Sequence, residues 1–99
     1  MDMTRRDILE FLKQNKSRLQ ERYGISEVAL FGSYARGENR TDSDVDIAIR
    51  TPLRDYFRLY DLKEELEEAF KTSVDLVRMR ESMNPYLKKR IEKDGIFVR

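Results

Sequence analysis

Ninety-nine residues, 39% hydrophobic and 10% aromatic, make one small domain over 1–99 with a real but limited core. Twenty basic residues stand against nineteen acidic ones, so whole-molecule attraction to nucleic acid has no support. With neither cysteine nor histidine, disulfide frameworks, thiolate or imidazole metal sites and histidine acid–base chemistry are excluded, and any catalysis has to run on carboxylates, cations, hydroxyls and a bound metal.

Met1-Asp2-Met3-Thr4-Arg5-Arg6 leads into a polar helix rather than an apolar signal segment. No apolar run approaches membrane-spanning length, so the expectation is a cytoplasmic protein without membrane association. Thr4 and Asp7 have the spacing of a capping box, and Ile8, Phe11, Leu12, Leu19 and Tyr23 recur at helical spacing. Gly24 suits a C-cap, which predicts a first helix over 5–23. Glu27 to Phe31 reads as a buried strand ended by Gly32. Ser33 to Gly37 reads as a short helical turn, followed by a polar loop over 39–43. Residues 44–50 alternate, with Asp44, Asp46 and Ala48 on one face and Val45, Ile47 and Ile49 on the other.

Thr51-Pro52 is read as the start of a long helix with proline in its first turn, its apolar side marked by Leu53, Tyr56, Phe57, Tyr60, Leu66, Ala69 and Phe70. Residues 73–77 form a third strand with Asp75 set into it. Asn84-Pro85 caps a last helix that runs to Gly95, and Ile96-Phe97-Val98 suits an edge strand. This order predicts an α+β fold, an α/β sandwich whose small mixed sheet carries helices mainly on one side. Strand directions are mixed because the first two strands are joined by a short connection.

Two features carry chemistry. Asp44 and Asp46 leave the same face of one strand, with Cα atoms about 6.5–7 Å apart. Two like charges at that spacing call for a hard divalent cation such as Mg²⁺, which takes carboxylates, water and substrate phosphates as ligands. If the third strand lies alongside in register, Asp75 becomes a third ligand, and three carboxylates permit a two-metal site. A calcium loop is ruled out, because Ile47 and Leu53 occupy its glycine and closing glutamate positions. The second feature is Gly32-Ser33, where a strand opens into a helical turn whose free N–H groups and local dipole favour a phosphate. Arg36 and Arg40 add positive charge nearby, and Arg36 is equally placed to pair with Glu38 or with an aspartate.

Gly32-Ser33 followed after ten residues by Asp44-x-Asp46, within Phe-Gly-Ser-Tyr-Ala-Arg-Gly-Glu and Asp-Ser-Asp-Val-Asp-Ile-Ala-Ile, resembles the signature of the DNA polymerase beta-like nucleotidyltransferase superfamily, in its minimal nucleotidyltransferase (MNT) branch. Asp75, in Val-Asp-Leu-Val, resembles the third family carboxylate. The resemblance implies a nucleotidyltransferase fold, ATP phosphates bound at Gly32, Ser33 and Arg36, and Mg²⁺ bound by Asp44, Asp46 and Asp75, with Asp75 assisting deprotonation of the acceptor. It further implies AMP transfer to a protein partner, a HEPN-type ribonuclease toxin for which the chain is the antitoxin, in a hetero-oligomer with it. Two alternatives stay open: an antitoxin that neutralises by binding alone, and a transferase acting on a small molecule or an RNA end. The acidic stretch Asp55, Asp61, Glu64, Glu65, Glu67 and Glu68 reads as a solvated helix face. The tail from Arg78 to Arg99, with seven basic and three acidic residues, gives nucleic-acid contact only weak support.

Overall fold

The computed structural model describes residues 3–99; Met1 and Asp2, the first residues of the polar N-terminus, lie outside them. Thr4 caps α1 (Arg5–Gln14) with the expected box: its hydroxyl accepts from the Asp7 N–H, and the Asp7 carboxylate accepts from the Thr4 N–H. The predicted single helix over 5–23 is two. Asn15 turns its side-chain amide onto the Phe11 carbonyl (2.8 Å), and a second helix, α2 (Lys16–Tyr23), starts after it. Asparagine competes with the helical ladder for backbone groups, which breaks the run without disturbing the apolar spacing that suggested continuity. Gly24 closes α2 in the left-handed region.

Strand β1 (Glu27–Phe31) leads directly into α3 (Gly32–Arg36), and the loop beyond it returns as β2 (Val45–Arg50). The long helix does not begin at Thr51-Pro52. Thr51 is buried, donates its hydroxyl to the Tyr23 carbonyl (2.7 Å) and accepts from the Leu53 N–H. Helix α4 (Tyr56–Phe70) begins only where Asp55 accepts from the Phe57 and Arg58 N–H groups. Its core face is Leu62, Leu66 and Phe70, while Tyr56, Phe57 and Tyr60, expected on the apolar side, are exposed. Strand β3 (Val74–Arg78), α5 (Pro85–Asp94, capped by Asn84) and β4 (Ile96–Phe97) complete the chain.

The sheet order is β3-β2-β1-β4. β2 runs antiparallel to β1 and parallel to β3, and β4 is the expected edge strand, antiparallel to β1. One face packs Val28, Leu30, Val45, Ile47, Ile49 and Val74 against Ile8, Leu12, Leu19, Leu62, Leu66 and Phe70 of α1, α2 and α4. This is the larger core and carries most of the burial that stabilises the fold. On the opposite face a smaller cluster joins Ala29, Phe31 and Ala48 to Ile91 of α5. The mixed sheet with helices mainly on one side is thus the observed fold, and α5 is the helix on the second side.

Candidate active site

Asp46, Ala48 and Phe31 share the α5 face of the sheet because the strand period is two. The antiparallel register sets Asp46 opposite Phe31, and the parallel register sets it beside Asp75. Neighbouring strands lie about 4.8 Å apart, so Asp46 and Asp75 leave one face side by side. Asp44 stands just before β2, two residues from Asp46 and exposed. All three lie at the sheet end where β1 finishes and β2 and β3 begin.

Electrostatics record this neighbourhood. The Asp46 carboxyl is pushed above the usual carboxylate range, first by its partial burial, then by the charge of Asp75 and, more weakly, Asp44; Arg90 and Arg36 act in the opposite sense. Among the described residues, however, no three acidic side chains already stand at metal-binding spacing. The backbone register that was expected is in place, with Asp46 half-buried and Asp44 and Asp75 exposed. The donor set is oxygen only, which suits a hard cation and no thiophilic one.

Gly32 has φ +75°, and a Cβ built on it would stand 2.0 Å from Asp46 Oδ2. Glycine is therefore required twice, by the backbone angle and by the carboxylate lying over its Cα. Ser33 is half-buried in the first turn of α3. Phe31, the N-cap, supplies no side-chain acceptor, so the first amides of that turn carry no side-chain cap. Arg36 takes the ion-pair alternative: Nε donates to Glu38 (3.1 Å) and Nη1 to Asp94 (2.8 Å). Arg40 lines a groove of about 560 Å³ with Tyr34, Thr41, Phe70, Lys71 and Thr72, and none of the three aspartates borders it.

The residue that sequence reasoning missed is Arg90. It sits on α5 with its guanidinium 6.0 Å from the centre of the Phe31 ring and its charge acting on Asp46. Helical spacing from buried Ile91 locates Arg90 beside the inward face, but no sequence pattern says that this face meets β1.

The model of the nucleotidyltransferase domain matches residues 8–98. The chain belongs to the nucleotidyltransferase-domain family. A Methanocaldococcus jannaschii protein provisionally named a protein adenylyltransferase is 42% identical over 95 residues, spanning 93% of this chain and 95% of the relative. The protein adenylyltransferase MntA of Thermococcus cleftensis is 35% identical over 97 residues, spanning 97% of each. Among solved structures, a toxin–antitoxin complex with AMP-PNP superposes with a TM-score of 0.72 at 27% identity, over 88% of this chain and 72% of that one. The glycine–serine turn and the paired aspartates therefore stand within a nucleotidyltransferase domain.

Proposed function

We propose that this chain is a Mg²⁺-dependent protein adenylyltransferase that moves AMP from ATP onto a HEPN-type ribonuclease toxin and acts as its antitoxin. The observation that carries the reading is the register: Asp46 is held beside Asp75 on one side and against Gly32 on the other. The relatives named as protein adenylyltransferases, and the toxin–antitoxin complex with an ATP analogue, supply the acceptor class and the donor.

The amides after Gly32 and the Ser33 hydroxyl receive the phosphate tail. Asp44, Asp46 and Asp75 would hold Mg²⁺, which would supply charge neutralisation for the transfer. The acceptor hydroxyl attacks the α-phosphorus, the bond to the bridging α–β oxygen breaks, pyrophosphate leaves, and the hydroxyl proton passes to Asp75. Asp75 and Asp44 are exposed, which leaves them open to an acceptor carried by a second molecule. The protein's contribution is position and charge, which agrees with a chain that has no histidine.

The test is isotopic. Label at the α-phosphate of ATP should appear on the toxin in Mg²⁺, while label at the γ-phosphate should leave as pyrophosphate. Asp44→Asn should abolish transfer; wild-type transfer by that variant would end the proposal. Toxin neutralisation without ATP, unchanged by loss of Asp44 and Asp46, would establish binding alone as the mechanism.

A further inference from the structure

Arg36 is the basic residue nearest in sequence to the glycine–serine turn, but it is already engaged. Its Nε is held by Glu38 and its Nη1 by Asp94, and the Asp94 side chain is only 13% exposed. Asp94 and Arg90 lie four residues apart on α5, hence on one face of that helix. The Arg36–Asp94 pair ties α3 to the last turn of α5 and so fixes how that face is presented to the strand end. There Arg90 lies over the ring of Phe31, the residue from which α3 starts and the one paired with Asp46 across β1 and β2. Unlike Arg36, Arg90 has no carboxylate partner in any ion pair among the described residues.

We propose that Arg90 is the cationic side chain that binds the phosphates of the nucleotide, beside the Ser33 hydroxyl, and that the Arg36–Asp94 pair positions it. The inference rests on the nucleotidyl-transfer reading above. The carboxylates at this strand end repel a polyphosphate, and a cation at the same end offsets that repulsion. A guanidinium suits the role because its planar fork meets phosphate oxygens in pairs and its face rests on an aromatic ring. Arg36 becomes a positioning residue, which acts through Arg90 rather than on the nucleotide.

The experiment measures binding of a fluorescent ATP analogue in Mg²⁺, with ATP and AMP as competitors, on wild type, Arg90→Gln, Arg90→Lys and Arg36→Gln, each checked by its melting temperature. Arg90→Gln should weaken ATP about tenfold or more and AMP far less, as expected for loss of a charged hydrogen bond to the phosphate tail. Arg90→Lys should recover part of the loss, and Arg36→Gln should show a smaller loss of the same kind. ATP affinity unchanged in Arg90→Gln, or an equal loss for ATP and AMP, overturns the proposal. If Arg90→Gln does not fold, Arg90→Lys decides: it must still loosen ATP more than AMP, and equal loosening overturns the proposal. A wild type that binds no nucleotide removes the transfer reading and this one together, whereas a wild type that binds ATP beside an Arg90→Gln variant that binds it equally removes this one alone.

Discussion

The carboxylate of Asp46 lies over the Cα of Gly32, so close that a Cβ there would stand 2.0 Å from Oδ2 and 2.9 Å from Cγ. The glycine of the turn thus makes room for the carboxylate proposed to hold metal, at the same turn proposed to receive the phosphates. Gly32→Ala should displace Asp46 and strain a backbone held at φ +75°, with a stability loss of about 1–3 kcal/mol and loss of AMP transfer. Gly24→Ala is the control. Gly24 also has positive φ, +66°, but its added Cβ would meet Thr51 Oγ1 at 3.4 Å, an ordinary contact far from the site. That variant should lose about 1 kcal/mol and keep transfer. Denaturant titration and label transfer on both variants check the contrast; a Gly32→Ala protein with full transfer would refute it.

The fold disfavours the charge of Asp46. Burial and the charges of Asp75 and Asp44 hold it above its ordinary range, so keeping it ionised at neutral pH costs the folded state. Asp46→Asn removes the charge and keeps the shape. It should melt higher than wild type in chelator-treated buffer while losing transfer by roughly 100-fold or more, a trade of stability for activity. A lower melting temperature for Asp46→Asn would contradict the electrostatic account.

Much of this was legible in the chain because it is written locally. The alternation over 44–50 predicts which face Asp46 takes, the short connection to β2 predicts an antiparallel pair, and both helix caps at Thr4 and Asn84 are read from neighbouring residues. What was not legible depends on distant partners. Asn15 breaks a helix by turning back on Phe11, and the apolar spacing around it is blind to that choice. Thr51-Pro52 resembles a helix start, yet the Tyr23 carbonyl claims the threonine hydroxyl. Tyr56, Phe57 and Tyr60 look like core and lie in solvent, because the helix begins four residues later than proline suggests and turns Leu62, Leu66 and Phe70 inward. Arg90 reaches the site only through the packing of α5 on β1, and periodicity does not encode which helix covers which strand.

Glu67 sets a further pH dependence. Its carboxylate accepts from the Val74 N–H (2.9 Å) at the entry of β3, and this bond holds it below its ordinary value of 4.5, with Lys63 adding a smaller effect in the same direction. A depressed carboxyl contributes stability that is present above its unfolded value and is lost as pH falls through the folded one. Wild type should therefore lose melting temperature below about pH 4.5 more steeply than Glu67→Gln, which keeps an acceptor and does not titrate. Thermal melts at pH 7 and pH 3 on both proteins measure the difference; parallel losses would show that Glu67 carries none of it.

Thr51 is the one polar residue in the buried core among the described residues, and it bridges two elements. Its hydroxyl donates to the Tyr23 carbonyl at the end of α2 and accepts from the Leu53 N–H, joining the chain after β2 to the first helical pair. Thr51→Val keeps the volume and leaves both backbone groups without their partner, the Tyr23 carbonyl in a buried setting and the Leu53 N–H in a half-buried one. That should cost about 1–3 kcal/mol, or roughly 4–8 °C in Tm per kcal/mol for a domain of this size. The loss should not touch chemistry, because Thr51 lies beyond the far end of β2 from Asp46, five residues along the chain. Transfer per folded molecule at a temperature well below the melting point should equal that of wild type. A Thr51→Val protein that keeps its Tm would show that the two backbone groups find other partners.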